Sequence, residues 1–120
     1  MTGTDIFTHH APGIVEALNR TGDPSTMLDV ARAILDERAQ VWGNEHALII
    51  TQVLHPYVHF WIATGELDKV IELSHEIMQW ARERGYTKAT LTGRQGWVRA
   101  LAHEGWRKRA VLMERDLGQG

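Results

Sequence analysis

The chain contains no cysteine, which removes disulfides, thiolate nucleophiles and cysteine-based zinc sites, and leaves its redox compartment undecided. No apolar run approaches the ~20 residues of a membrane span. The opening MTGTDIFTHH has neither the basic flank nor the apolar centre of a secretory signal. The expectation is therefore a protein without signal peptide or transmembrane helix. Positive charge is not in excess either: 13 Lys and Arg against 15 Asp and Glu give a net charge of -2 with histidines neutral. No basic surface of the whole molecule advertises nucleic-acid binding. There is no Gly-x-Ser-x-Gly elbow and no Gly-Lys-Ser/Thr phosphate loop, so elbow-type hydrolase and Walker-type nucleotide readings are disfavoured. Internal repeats, low-complexity tracts and linkers are also lacking.

What remains is a 120-residue chain with 43% apolar and 23% charged residues, the composition of one ordinary globular domain with room for a real core. Five tryptophans and seven histidines stand out. The plain reading of the tryptophans is core and interface area. The histidines allow charge to swing between about pH 5 and 7, and their plain reading is surface and strand positions without a task.

Periodicity orders the elements. Ile14 to Leu18 form a short amphipathic stretch that exits through Asn19-Arg20-Thr21-Gly22, so residues 1–22 read as a helical segment free to move. Asp23-Pro24 reads as an N-cap with proline in the first turn. Met27, Val30, Ala31, Ile34 and Leu35 then give one apolar face of a helix running to about Arg38. Gln40-Val41-Trp42, the β-branched run 47–54 and residues 57–63 read as antiparallel strands, with a turn at His55-Pro56. Residues 67–84 are the strongest helix, with Leu67, Val70, Ile71, Ser74, Ile77, Met78 and Ala81 on one face and Gly85 as its stop. Residues 86–92 alternate as a strand. Strand 57–63, helix 67–84 and strand 86–92 make a βαβ crossover, which places two parallel strands in one sheet. A short helix, 97–104, closes on Gly105. Residues 110–115 read as a last strand and 118–120 as a loose tail.

Several residue sets invite chemistry. His55 and His59 are four apart and would share a face of a regular strand, but Pro56 interrupts it and no third ligand stands at a useful spacing, so no metal is expected. Gly93-Arg94-Gln95-Gly96-Trp97 precedes a helix, whose N-terminus attracts anions; the plainer reading is a tight strand-to-helix turn. Arg94, Arg99, Arg107, Lys108, Arg109 and Arg115 concentrate positive charge near the C-terminus, interleaved with Trp97 and Trp106. They suit a phosphate-bearing ligand, nucleic acid or an acidic protein surface, or else a charged strand edge that resists aggregation.

The order of these elements, from Pro24 to Leu117, resembles the GNAT N-acetyltransferase fold. The stretch WARERGYTKATLTGRQGWVRALAHEGW resembles small GNAT-like proteins of tailed phages through Gly93-Arg94-x-Gly96-Trp97, and Gly105-Trp106 resembles the Gly-Phe pair that ends the fourth helix of acetyltransferases. The resemblance implies a single α/β (α+β) domain over 23–117, with a mixed, mostly antiparallel sheet and helices on both faces. It also implies acetyl-CoA binding through a Gln/Arg-x-x-Gly-x-Gly/Ala loop after the central strand, with the glycines and a helix N-terminus cradling pyrophosphate.

Here that stretch is Ala63-Thr64-Gly65-Glu66-Leu67-Asp68, with one glycine and two carboxylates where phosphates should sit. The tyrosine acid often found on the fourth helix is missing. The expectation is a non-catalytic GNAT-like phage protein that takes no cofactor. It would act on a phage or host protein, as a virion or assembly component or a host-factor modulator, in the host cytoplasm or the virion. The alternative is an N-acetyltransferase that binds acetyl-CoA through Thr64, Gly65 and Arg94, with Glu66, His59 or His55 as base. A second alternative is a nucleic-acid-binding accessory protein. Exposed strands and tryptophans also favour a two-fold homodimer.

Overall fold

A computed structural model describes residues 2–93 and 96–118 of the chain. The elements are α1 (Gly3–His9), α2 (Ala11–Thr21), α3 (Met27–Leu35), β1 (Gln40–Gly43), β2 (Ala47–Leu54), β3 (Tyr57–Gly65), α4 (Leu67–Glu83), β4 (Lys88–Leu91) and α5 (Gly96–Leu101), the last extended by a 3-10 turn over Ala102–Glu104. The four strands form one sheet in the order β1-β2-β3-β4. The first two pairings are antiparallel and β3–β4 is parallel. This is an α+β domain with a mixed sheet and helices on both faces, and its parallel pair is the one the βαβ crossover predicts. Among the described residues no helix is long and apolar enough to cross a membrane.

Side-chain alternation along β2 divides the core in two. Leu48 and Ile50 point to one face, where they pack with Ile14 and Leu18 of α2 and with Val30 and Ala33 of α3. Ala47 and Ile49 point to the other, against Leu73, Ile77 and Ala81 of α4. Residues 2–22 are therefore not set apart from the domain by their packing. Ile14 is fully buried in the same cluster as Val30, and His10 Nε2 donates to the Asn44 carbonyl at 2.7 Å.

The sequence expectations change at four places. The second predicted helix begins at Met27 rather than Pro24, because Thr26 is its cap: Asp29 N donates to Thr26 Oγ1 at 3.2 Å, while Thr26 N donates to Asp29 Oδ2 at 2.8 Å. Asp23 is occupied elsewhere, accepting from Ser25 N at 2.9 Å and from Trp61 Nε1 at 2.7 Å. That helix also stops at Leu35, which is 80% exposed, and Ala33 takes the inward place that periodicity gives to Leu35. On α4 the inward residue is Leu73, and Leu67 lies half in solvent at the helix start. Finally, no strand forms over 110–115. Residues 106–118 carry no regular element and are exposed apart from the half-buried Trp106.

One irregularity shapes the molecule. Ile50 pairs with Ile62 and Thr51 with Phe60, so Trp61 is an extra residue in β3, a β-bulge. The parallel ladder with β4 runs only from Tyr57↔Lys88 to Phe60↔Leu91 and ends where the bulge begins. Beyond it β3 continues to Gly65 on β2 alone, and the two parallel strands part.

Candidate functional site

The parting of β3 and β4 opens a cleft of about 380 Å³ at their carboxyl ends, the usual place for a ligand in a sheet with parallel strands. Ile49, Phe60 and Leu91 contribute its sheet side, Val70 and Ile71 come from α4, and Trp97, Leu101 and Trp106 come from the α5 region. The remaining wall is α2, where Gly13 allows a close approach: a Cβ there would collide with the Thr64 hydroxyl and lie 3.1 Å from Thr64 Cβ. Glu16 and Arg20 sit at this edge and pair with one another, one turn apart. The cleft is thus chiefly apolar, with a neutralised ion pair at the rim and, along residues 61–65 of β3, a strand edge with no β4 partner.

The start of α4 borders this cleft through Gly65 and Leu67. β3 passes into the helix through Glu66 alone, the N-cap residue, whose side chain does not cap the helix. Its Oε2 accepts from His46 Nδ1 at 3.0 Å, and His46 Nε2 lies 3.5 Å from Glu45 Oε1. Asp68 stands exposed in the first turn. Gly65 has φ +123, and a Cβ there would lie 2.7 Å from Ala47 Cα. The glycine that a cofactor loop would need for close approach to pyrophosphate is used instead for close approach to β2. A pyrophosphate at this position would face Glu66 and Asp68 with no second glycine beside it. These residues do not fit that part of acetyl-CoA.

The three base candidates are not brought together, and none lines the cleft. Glu66 is exposed and bound to His46. His55, in the β2–β3 turn, donates through Nε2 to the Gly85 carbonyl at 3.1 Å. His59 sits 2.9 Å from Thr90 Oγ1 through Nδ1, and by strand alternation it points away from the face that carries Phe60. Burial holds its pKa below the ordinary value, partly offset by the negative charge of Asp23. Asp23 itself is depressed: burial raises its pKa, but hydrogen bonds from Ser25 and Trp61 and the nearby His59 outweigh that. His55 and His59 therefore do not converge, and among the described residues no group of three or more His, Asp or Glu side chains is placed to hold a metal.

Of the cofactor candidates, Thr64 and Gly65 line the cleft, while Arg94 lies outside the described residues. Of the motif residues, Gly93, Trp97 and Trp106 also line it. Gly93 is packed so closely that a Cβ would come 2.7 Å from Trp97 Cε3, whereas Gly96 faces open space and Gly105, at φ +86, ends the 3-10 turn. The cationic residues Arg99, Arg107, Lys108, Arg109 and Arg115 are exposed and none lines the cleft.

The histidines, idle on the plain reading, are mostly ties between elements. His9 donates to the Glu45 carbonyl at 3.1 Å, and His75 Nε2 meets Glu104 Oε2 at 2.6 Å, fastening the 3-10 turn to α4. The contribution of α2 to the cleft has no signal in the sequence. The i,i+4 pair Glu16–Arg20 is visible there, but its position at a rim depends on how α2 lies across β3. No family model, curated protein or solved structure matches this chain.

Proposed function

We propose that this chain is a GNAT-like domain that retains the strand-splay cleft without cofactor chemistry and acts by binding protein, as a phage virion or assembly component or a modulator of a host protein. The GNAT-like reading is supported by the order, after α1, of two helices, three antiparallel strands, a helix, a parallel strand and a helix, together with the bulge in β3. The non-catalytic reading is carried by one observation: β3 enters α4 through Glu66 alone, with Glu66 and Asp68 at the helix start and the lone glycine committed to β2.

A second reading, an N-acetyltransferase, is favoured by the cleft itself, since an apolar groove beside an open strand edge suits an extended amide-bearing ligand. An assay separates the two. Protein mixed with acetyl-CoA and a panel of primary amines is followed for release of free thiol, beside the doubly neutralised variant Glu66→Gln, Asp68→Asn. The proposal expects no release above the blank from the native chain. Turnover by the native chain establishes the second reading and overturns the first.

A further inference from the structure

We infer that the cleft takes an extended peptide segment of a partner protein, added as a strand along residues 63–65 of β3, with a large apolar side chain in the cleft and a Lys or Arg at the start of α4. This rests on the reading of the chain as a cofactor-free protein-binding domain, and it names the chemistry of the partner.

The backbone sets the mode of binding. In an antiparallel sheet successive residues turn their N–H and C=O groups to opposite sides of the strand. Asn44 N donates to the Ala47 carbonyl at 2.9 Å, so Ala47 and Ile49 of β2 bond toward β1, while Leu48 and Ile50 bond toward β3. Glu66 N donates to the His46 carbonyl at 3.1 Å, which fixes the same phase from the other strand: Ile62, Thr64 and Glu66 bond to β2. Ala63 and Gly65 therefore turn their N–H and C=O groups the other way. That is the side of β4, whose ladder has already ended at Leu91. Among the described residues no strand or loop backbone takes up these two donors and two acceptors. They repeat about 6.8 Å apart along β3, the spacing of alternate residues in an extended chain. A peptide laid there satisfies them as a further strand.

The walls set the side chains. Those of an added strand alternate between the two faces of the sheet, so they turn in one direction to Val70 and Ile71 of α4 and in the other to Gly13 and Ala17 of α2. The α4 side suits a large apolar residue. The α2 side suits small ones, because α2 lies tightly over Thr64 at Gly13.

Charge selects a peptide over the amide arm of a nucleotide cofactor. Among the described residues the charged lining of the cleft is Glu16 and Arg20, which pair with each other. At the start of α4, Lys69 pairs with Glu72, and Glu66 and Asp68 stand exposed just past the open edge. Carboxylates placed there oppose a pyrophosphate and favour a Lys or Arg of the ligand.

Selection of random displayed peptides on the full native chain tests this. Selected peptides should carry a large apolar residue and a Lys or Arg in one extended stretch, with dissociation constants of about 1–100 μM. Hydrogen exchange reads the pairing itself. In the free chain the amides of Ala63 and Gly65 should exchange faster than those of Ile62 and Thr64, and a selected peptide should slow them by about tenfold or more. Methylation of alternate backbone nitrogens of the peptide should abolish binding, and the intervening positions should tolerate it. Asp68→Lys, at an exposed site, should weaken binding about tenfold with unchanged melting. Absence of selected peptides, peptides that leave Ala63 and Gly65 exchanging as before, or methylation tolerated throughout overturns the inference. An unweakened Asp68→Lys overturns the basic residue of the ligand. Self-association of the native chain that a selected peptide reverses replaces the foreign partner with a second copy and overturns it. Turnover of acetyl-CoA in the assay above overturns the parent reading, whereas failure of the peptides without turnover overturns the inference alone.

Discussion

Glycine 93 stands where β4 gives way to α5, and the ring of Trp97 occupies the space a side chain would need. Gly93→Ala should destabilise the fold by about 1–3 kcal/mol, the usual cost of forcing an extra group into a packed contact. Gly96→Ala has free space and adds a helix-favouring residue at the head of α5, so it should be neutral or stabilising by up to about 1 kcal/mol. Denaturant unfolding of the two variants checks the contrast; equal effects would contradict this account of the turn. His59 provides a second residue-level test. Its pKa is lowered in the fold, so the unfolded chain binds its proton more readily. The corresponding stability is fully present above the ordinary value of 6.5 and is lost as pH falls through it. The melting temperature should fall between about pH 7.5 and about pH 5.5, and His59→Gln should make that fall shallower. An unchanged slope would place the titration on other groups.

At the scale of elements, what reads from sequence is local. The run 47–54 is legible as a continuous apolar, β-branched stretch buried on both faces, and the face of α4 through Ile77 and Ala81 because it buries one set of regularly spaced side chains. The start of α3 is misplaced in the sequence because Asp23-Pro24 has the form of a cap, and contact with Trp61 gives Asp23 another purpose. Thr26→Ala, which removes the observed cap, should cost about 1 kcal/mol, measured by thermal or denaturant unfolding. A variant as stable as the native chain would put the cap elsewhere. The last strand fails for a different reason. Residues 110–115 have strand composition, but among the described residues they pair with no other strand and are exposed along their whole length.

For the molecule as a whole, the crossover of β3, α4 and β4 can be anticipated from chain order and handedness rules. The cleft cannot, because it arises from the bulge at Trp61, and nothing in the sequence around Phe60-Trp61-Ile62 marks an extra residue. The acidic approach to α4 is legible residue by residue, through Gly65, Glu66 and Asp68. That Gly65 serves contact with β2, and that Glu66 is held by His46, requires the fold. Together these features describe a domain with an open, mainly apolar cleft whose helix entrance disfavours a pyrophosphate. Titration of the native chain with acetyl-CoA by calorimetry, with CoA as control, tests that description most directly. The account predicts no detectable heat at millimolar ligand. Saturable binding tighter than about 100 μM, near 5.5 kcal/mol, would contradict it and make the cleft a cofactor site.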